Sequence, residues 1–261
     1  MQVTEEIVGK GVVEQRFRFE ADGVEVPGIV WRPEATAGPT PLILLGHGGT
    51  QDKRAVNVLG LARRFVRHLG ATAVAIDAPD HGERIVDAEQ AAMQRRDLER
   101  RVRGAEGEAS SPRPIPRDPV AYAERHARAV REWSTLLDLL EDQGMILDGS
   151  VGYWGLSMGT MIGLPLVASD PRVRCAVLGL AALSGWPDEA ARADAARRLE
   201  VPVLFVFQWD DQLMTRQAGL ELFDALGSKD KSMHVFPGGH IDTPLYERDA
   251  YDAFFARHLL R

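Results

Sequence analysis

Apolar residues fall along this chain in short continuous runs, at residues 42–45, 73–76, 151–154, 175–180, 203–207 and 233–236. Runs of this length, rich in Val, Ile, Leu and Phe, suit strands buried on both faces of a sheet. Between most of them the spacing changes to that of a helix. Residues 55–69 form one such stretch, closed by Gly70, and residues 121–140 form another, with Ala123, Ala127, Val130, Leu137 and Leu140 on one face. Strands alternating with helices predict an α/β fold: a mostly parallel central sheet with helices on both faces. The start of the chain reads differently. Phe17 and Phe19 alternate with Arg16 and Arg18, and Asp22-Gly23 supplies a turn, so residues 12–31 are expected to form an antiparallel hairpin at the sheet's edge. No internal repeat breaks the pattern, and residues 1–261 read as a single domain with one insertion, at 83–118.

One junction in this frame carries chemistry. The strand-like Val151-Gly152-Tyr153-Trp154 runs into Gly155-Leu156-Ser157-Met158-Gly159, and a helical run follows over residues 160–168. A strand-to-helix turn this tight forces its central residue into a left-handed backbone, and glycines two before and two after let strand and helix approach without a Cβ clash. Ser157 would then stand alone at the tip of the sheet. A serine hydroxyl is a poor nucleophile at neutral pH and needs an imidazole to take its proton and return it to the leaving group. His240 in Pro237-Gly238-Gly239-His240 is the candidate base. A carboxylate must orient that imidazole, and Asp210-Asp211, after the run 203–207, offers two. Side-chain alternation across the loop favours Asp211, leaving Asp210 to face solvent or cap a helix. All three groups lie in loops leaving strand C-termini, which gather at one edge of a parallel sheet.

An attacked carbonyl also needs two amide donors for its developing oxyanion. The N–H of Met158, just after the nucleophile, is one candidate. The other comes from the glycine-rich turn Gly46-His47-Gly48-Gly49, with Gly49 ahead of Gly48. That turn lacks the Lys-Ser/Thr ending of a phosphate-binding loop and the spacing of a dinucleotide fingerprint.

These motifs together resemble the α/β-hydrolases, most of all the single-domain serine esterases of the dienelactone-hydrolase and peptidase-like branch. The resemblance is carried by Asp22-Gly23-Val24, Gly28, Arg32-Pro33, Gly46-His47-Gly48-Gly49, the serine elbow, Asp211 and Gly239-His240. It implies a Ser157-Asp211-His240 triad in the family's chain order, with the acid four residues past its strand and an apolar pair, Leu213-Met214, behind it. It also implies a carboxylic ester as substrate, cleaved through an acyl-enzyme without a cofactor. One departure matters: the dienelactone hydrolases proper carry a cysteine in the elbow, which points this chain away from dienelactone itself. The same triad serves an acyltransferase, cyclase or thioesterase, and these remain alternatives. A non-catalytic binding protein is the reading from another class, and the joint presence of triad residues and glycine turns counts against it.

Composition narrows the partners. A net charge of −7 and a pI near 5.6 argue against nucleic acid. The acidic start of the chain reads as no signal peptide, and no apolar run approaches the roughly 18 residues that span a bilayer. The expectation is therefore a protein without a nucleic-acid or membrane partner, and the resemblance implies that it acts on a small-molecule ester. The lone Cys175 excludes an internal disulfide, reads as core, and fits a reducing, cytoplasmic setting.

The insertion contains a helix-like run at 87–103 and a proline-rich stretch at 111–116. It is expected to serve as a lid over the site or as a homodimer contact. Its five arginines between Arg95 and Arg103 could attract an anionic substrate, but Asp97 and Glu99 among them favour a plain solvated face. His47 is expected to brace its turn through backbone hydrogen bonds. Trp186, His81 and Gly48 are candidate pocket residues, with Asp80 and His81 more readily read as bracing their loop. Trp154 and Trp209 are expected near the site, and Asp242 is expected to be exposed or to cap a final helix at 244–259. No metal is expected, because no histidine or carboxylate near His81 has ligand spacing.

Overall fold

The strands of the computed structural model, which describes residues 1–36, 38–103 and 118–260, are β1 (Gln2–Gly9), β2 (Val12–Ala21), β3 (Val24–Pro33), β4 (Thr40–Gly46), β5 (Thr72–Ile76), β6 (Ile146–Gly155), β7 (Val173–Gly179), β8 (Val203–Gln208) and β9 (Lys231–Phe236). They form one sheet in the order β1-β2-β3-β5-β4-β6-β7-β8-β9. The first three strands and β5 pair antiparallel, and from β5 through β9 every pairing is parallel. The helices are α1 (Val56–Leu69), α2 (Ala88–Arg103), α3 (Pro119–Asp142), α4 (Met158–Ser169), α5 (Glu189–Arg198), α6 (Arg216–Ala225) and α7 (Glu247–Leu259).

Alternation along the central strands divides the core. Leu42 and Leu44 of β4, with Val203, Phe205 and Phe207 of β8, pack under α3 to α6. Ile43, Leu45, Leu204 and Val206 point the other way, under α1 and α7. Burial on both faces is why these strands read as continuous apolar runs. Helix α4 is buried nearly all round, from Gly159 through Leu164 and again at Leu166 and Val167. A helix so placed is held rigidly, and it carries the candidate nucleophile at its N-terminal end.

The expected hairpin is present. Ala21 pairs with Val24 across Asp22 (φ 51°) and Gly23 (φ 72°), the two left-handed positions of a two-residue hairpin loop. It is not the sheet's edge, however. That place belongs to β1, whose eight residues are all exposed, so the pattern of apolar positions gave no sign of it. A second correction concerns β9, which was expected to be buried on both faces. It is the opposite edge, where the helical layers cover the sheet only in part, and its residues are half-buried or exposed, none of them buried.

Helix α2 falls where the insertion was expected to be helical, and none of its described side chains is buried. Asp97 pairs with Arg100 and Arg101, in keeping with the solvated reading of that face. The proline-rich stretch at 111–116 lies outside the described residues.

Candidate active site

The junction of β6 and α4 has the geometry its glycines require. Ser157 adopts φ 59° and ψ −120°, a backbone that L-residues avoid. The surroundings impose it: a Cβ on Gly159 would lie 2.5 Å from the Gly46 carbonyl oxygen, and one on Gly155 would lie 2.9 Å from the Gly159 carbonyl carbon. Ser157 N–H donates to Gly179 O at 3.0 Å. The Thr160 hydroxyl lies within 2.8 Å of both Gly155 O and Gly179 N, stitching the elbow to the neighbouring strand. Ser157 itself is only half-buried, open to a reactant.

Two loops from the adjoining strands meet it. His240 Nε2 lies 2.9 Å from Ser157 Oγ, and His240 Nδ1 lies 2.7 Å from Asp211 Oδ2. The His240 and Asp211 side chains are 7% and 2% exposed, so little water competes for the pair. The second carboxylate oxygen of Asp211 accepts from Leu213 N at 2.7 Å and Met214 N at 3.1 Å, which fixes the plane of the acid. Asp210 turns outward and pairs with Arg216 at 2.8 Å, while Thr215 caps α6. The chain thus brings Ser157, His240 and Asp211 together, and leaves Asp210 in solvent.

Of the glycine-rich turn, the amide of Gly48 is already taken, donating to Gln51 Oε1 at 3.0 Å. The amides of Gly49 and Met158 have no acceptor among the described residues. They lie on facing segments, since a Cβ on Gly49 would sit 4.0 Å from Met158 Cβ. His47 braces the turn as expected. Its Nε2 accepts from Ala78 N–H at 3.0 Å, so the proton sits on Nδ1, which donates to Gly48 O at 2.9 Å. Burial, with the nearby His81 ring adding to it, pulls the His47 pKa down to about 4 and keeps the ring neutral.

The remaining candidates divide. The His81 ring lies tilted against that of His47 at 5.3 Å and bonds Pro79 O at 2.9 Å, a bracing role, and burial lowers its pKa too. Asp80 pairs with Arg125. Trp186 is half-buried beyond β7, stacked on Tyr122 at 5.9 Å with Arg192 over its ring at 5.6 Å. Trp154 is core beneath α7, edge-on to Tyr251. Trp209 is 43% exposed and lies against Arg216. Asp242 is exposed, as one reading had it, but it does not cap α7; its carboxylate accepts from Gly239 N at 2.7 Å and holds the histidine's turn.

Residues that sequence reasoning passed over support the site from behind. Gln212 Oε1 accepts from His240 N at 3.0 Å. The Tyr153 hydroxyl donates to Gly159 O at 2.7 Å. Asp77 and Lys53 form a buried pair at 2.6 Å below the glycine-rich turn. Only Gln212, adjacent to Asp211, offered a positional hint.

Among solved structures, the chain is similar to a cold-adapted esterase from an Arctic intertidal metagenomic library, in its PEG-bound complex. Identity is 33% over 99% of this chain and 100% of that one, with a TM-score of 0.81. The chain belongs to the α/β-hydrolases. It stands among the carboxylic ester hydrolases of that family. Two further hydrolases share the fold at lower identity. An acetyl xylan esterase from Paenibacillus sp. R4 is 16% identical over 99% of this chain and 88% of its own, with a TM-score of 0.72. A dienelactone hydrolase from Anabaena variabilis ATCC 29413 is 17% identical over 96% and 98%, with a TM-score of 0.62. No family model and no curated protein matches the chain. No described helix of this hydrolase is long and apolar enough to cross a membrane.

Proposed function

We propose that this hydrolase cleaves a small-molecule carboxylic ester through an acyl-enzyme formed on Ser157. The observation that carries the reading is the continuous relay from Ser157 Oγ through both ring nitrogens of His240 to Asp211, beside two amides without acceptors among the described residues. In the first half-reaction Ser157 Oγ bonds to the ester carbon while its proton passes to His240 Nε2. Asp211 holds the ring and stabilises the imidazolium, keeping its own charge. The carbonyl oxygen, now negative, accepts from Gly49 and Met158 N–H. Collapse breaks the bond to the alcohol, which leaves with the proton from Nε2. Water repeats the sequence on the acyl-enzyme and regenerates the serine. Trp186 is assigned to the wall of the substrate pocket and residues 83–118 to a lid. The lone buried Cys175 suits a cytoplasmic setting.

The test is hydrolysis of p-nitrophenyl esters from acetate to decanoate by wild type, Ser157→Ala and His240→Ala. Wild type should turn over, and each variant should lose roughly 10⁴-fold or more in kcat. Retention of activity by Ser157→Ala would overturn the mechanism. Release of acyl product onto added amines or alcohols in preference to water would move the protein to the acyltransferase reading.

A further inference from the structure

The turn that carries Gly49 is held only in part by its own residues. Thr50 sits at φ 62°, a costly backbone for a β-branched side chain. Within the turn, Gln51 N–H reaches Gly48 O at 3.3 Å and the Gln51 side chain takes Gly48 N–H. The firm attachments lie at its two ends, and both go to consecutive residues just past β5. At one end Ala78 N–H holds His47, which holds Gly48 O. In a trans peptide the C=O and the following N–H point in opposite directions, so fixing Gly48 O aims the N–H of Gly49. At the other end Asp77, fully buried, accepts Lys53 N–H at 2.9 Å on one oxygen and the Lys53 ammonium at 2.6 Å on the other.

The carboxylate of Asp77 also accepts Glu83 N–H at 2.9 Å, and the Glu83 carboxylate closes on Lys53 Nζ at 2.6 Å. Glu83 belongs to the stem of the insertion, so oxyanion turn and insertion are fastened to the same buried group. Lys53 is 5% exposed. A buried ion pair is a poor source of net stability, because the cost of removing two charges from water offsets most of their attraction. Breaking one partner, by contrast, leaves the other charge stranded and shifts whatever it was holding. Here that is the loop between His47 and Lys53, with Gly49 near its middle.

We propose that Asp77 and Lys53 are positioning residues that set the Gly49 amide of the oxyanion hole. The proposal rests on the serine-esterase reading above. Neither residue touches the substrate. Their effect is on the direction of one N–H, which matters when the carbonyl oxygen becomes an oxyanion and much less when the ester merely binds.

The experiment compares Asp77→Asn and Lys53→Met with wild type on p-nitrophenyl acetate, measuring kcat, KM and inhibition by a trifluoromethyl ketone, whose hemiketal oxyanion occupies the same hole. Both variants should lose kcat by roughly 10- to 100-fold, short of the 10²–10³ expected for outright loss of a donor, and bind the ketone weaker by a similar factor. KM should stay within about twofold, because ground-state binding uses the hole little. Asp170→Asn is the control. It breaks the pair of the buried Asp170 carboxylate with Arg172, at 2.7 Å and at the far end of α4 from the turn, so it should lower Tm and leave kcat alone. If Asp77→Asn does not fold, Lys53→Met and the milder Glu83→Gln carry the same comparison. Variants that lose Tm but keep the wild-type kcat and ketone affinity would overturn the proposal, as would Asp170→Asn losing kcat equally. Failure of the esterase reading itself would look different: wild type would be inactive, or Ser157→Ala active.

Discussion

The nucleophile and its acid–base partners are held in place by different physics. Ser157 stands at the centre of the sheet, where Gly46, Gly155 and Gly159 meet backbone to backbone and Tyr153 fills the space beneath. Asp211 and His240 leave the last two strands, at an edge where β9 is half-exposed and Ile241, beside the histidine, is 70% exposed. Packing is sparse there, and hydrogen bonds substitute for it. Leu213 and Met214 amides hold Asp211, Gln212 holds the backbone of His240, and Asp242 holds Gly239. Steric positioning is stiff and fails all at once, whereas positioning by separate hydrogen bonds fails in steps.

That contrast can be broken most forcefully at the acid. Asp211→Asn keeps the shape of the side chain but presents an amide to His240, so kcat should drop about 10⁴-fold with Tm nearly unchanged, measured on p-nitrophenyl acetate. At the centre, Gly159→Ala places a methyl group where backbone already stands. It should cost roughly 3 kcal/mol or more of stability in urea unfolding and remove activity together with the fold. Gln212→Ala removes one hydrogen bond of several, and a loss of about tenfold in kcat with a Tm within a few degrees of wild type would mark the graded failure expected at the edge.

A smaller effect comes from pH. The His47 pKa, at about 4, lies below its unfolded value near 6.5, so the native state binds fewer protons between those limits. The stability it contributes is complete above pH 6.5 and is lost as pH falls toward 4, on the order of 3 kcal/mol across the window. His47→Asn lacks this term. The gap in unfolding free energy between wild type and His47→Asn should therefore narrow as the buffer moves from pH 7 to pH 4.

Reading of the sequence reached the scaffold where burial wrote a pattern. The strands from β4 to β8 are apolar because both faces are covered, and Ser157 and His240 are visible because glycines mark their turns. The strand β1 buries nothing, so no period of apolar residues betrays it. Asp211 could be preferred to Asp210 from the alternation of side chains, since one must point in and its neighbour out. Asp77 and Lys53 could not be paired from sequence. They lie 24 residues apart on different loops, and only the parallel neighbours β4 and β5 bring their ends together. Thr160 escaped for a similar reason, reaching Gly179 on the next strand.

The most direct test of the account is reaction with a fluorophosphonate followed by peptide mapping. Attack by Ser157 Oγ forms a phosphorus–oxygen bond and expels fluoride, leaving a stable adduct. A single label on Ser157 is expected, formed far more slowly in His240→Ala and absent from Ser157→Ala. A label on any other residue, or one that persists in Ser157→Ala, would contradict it.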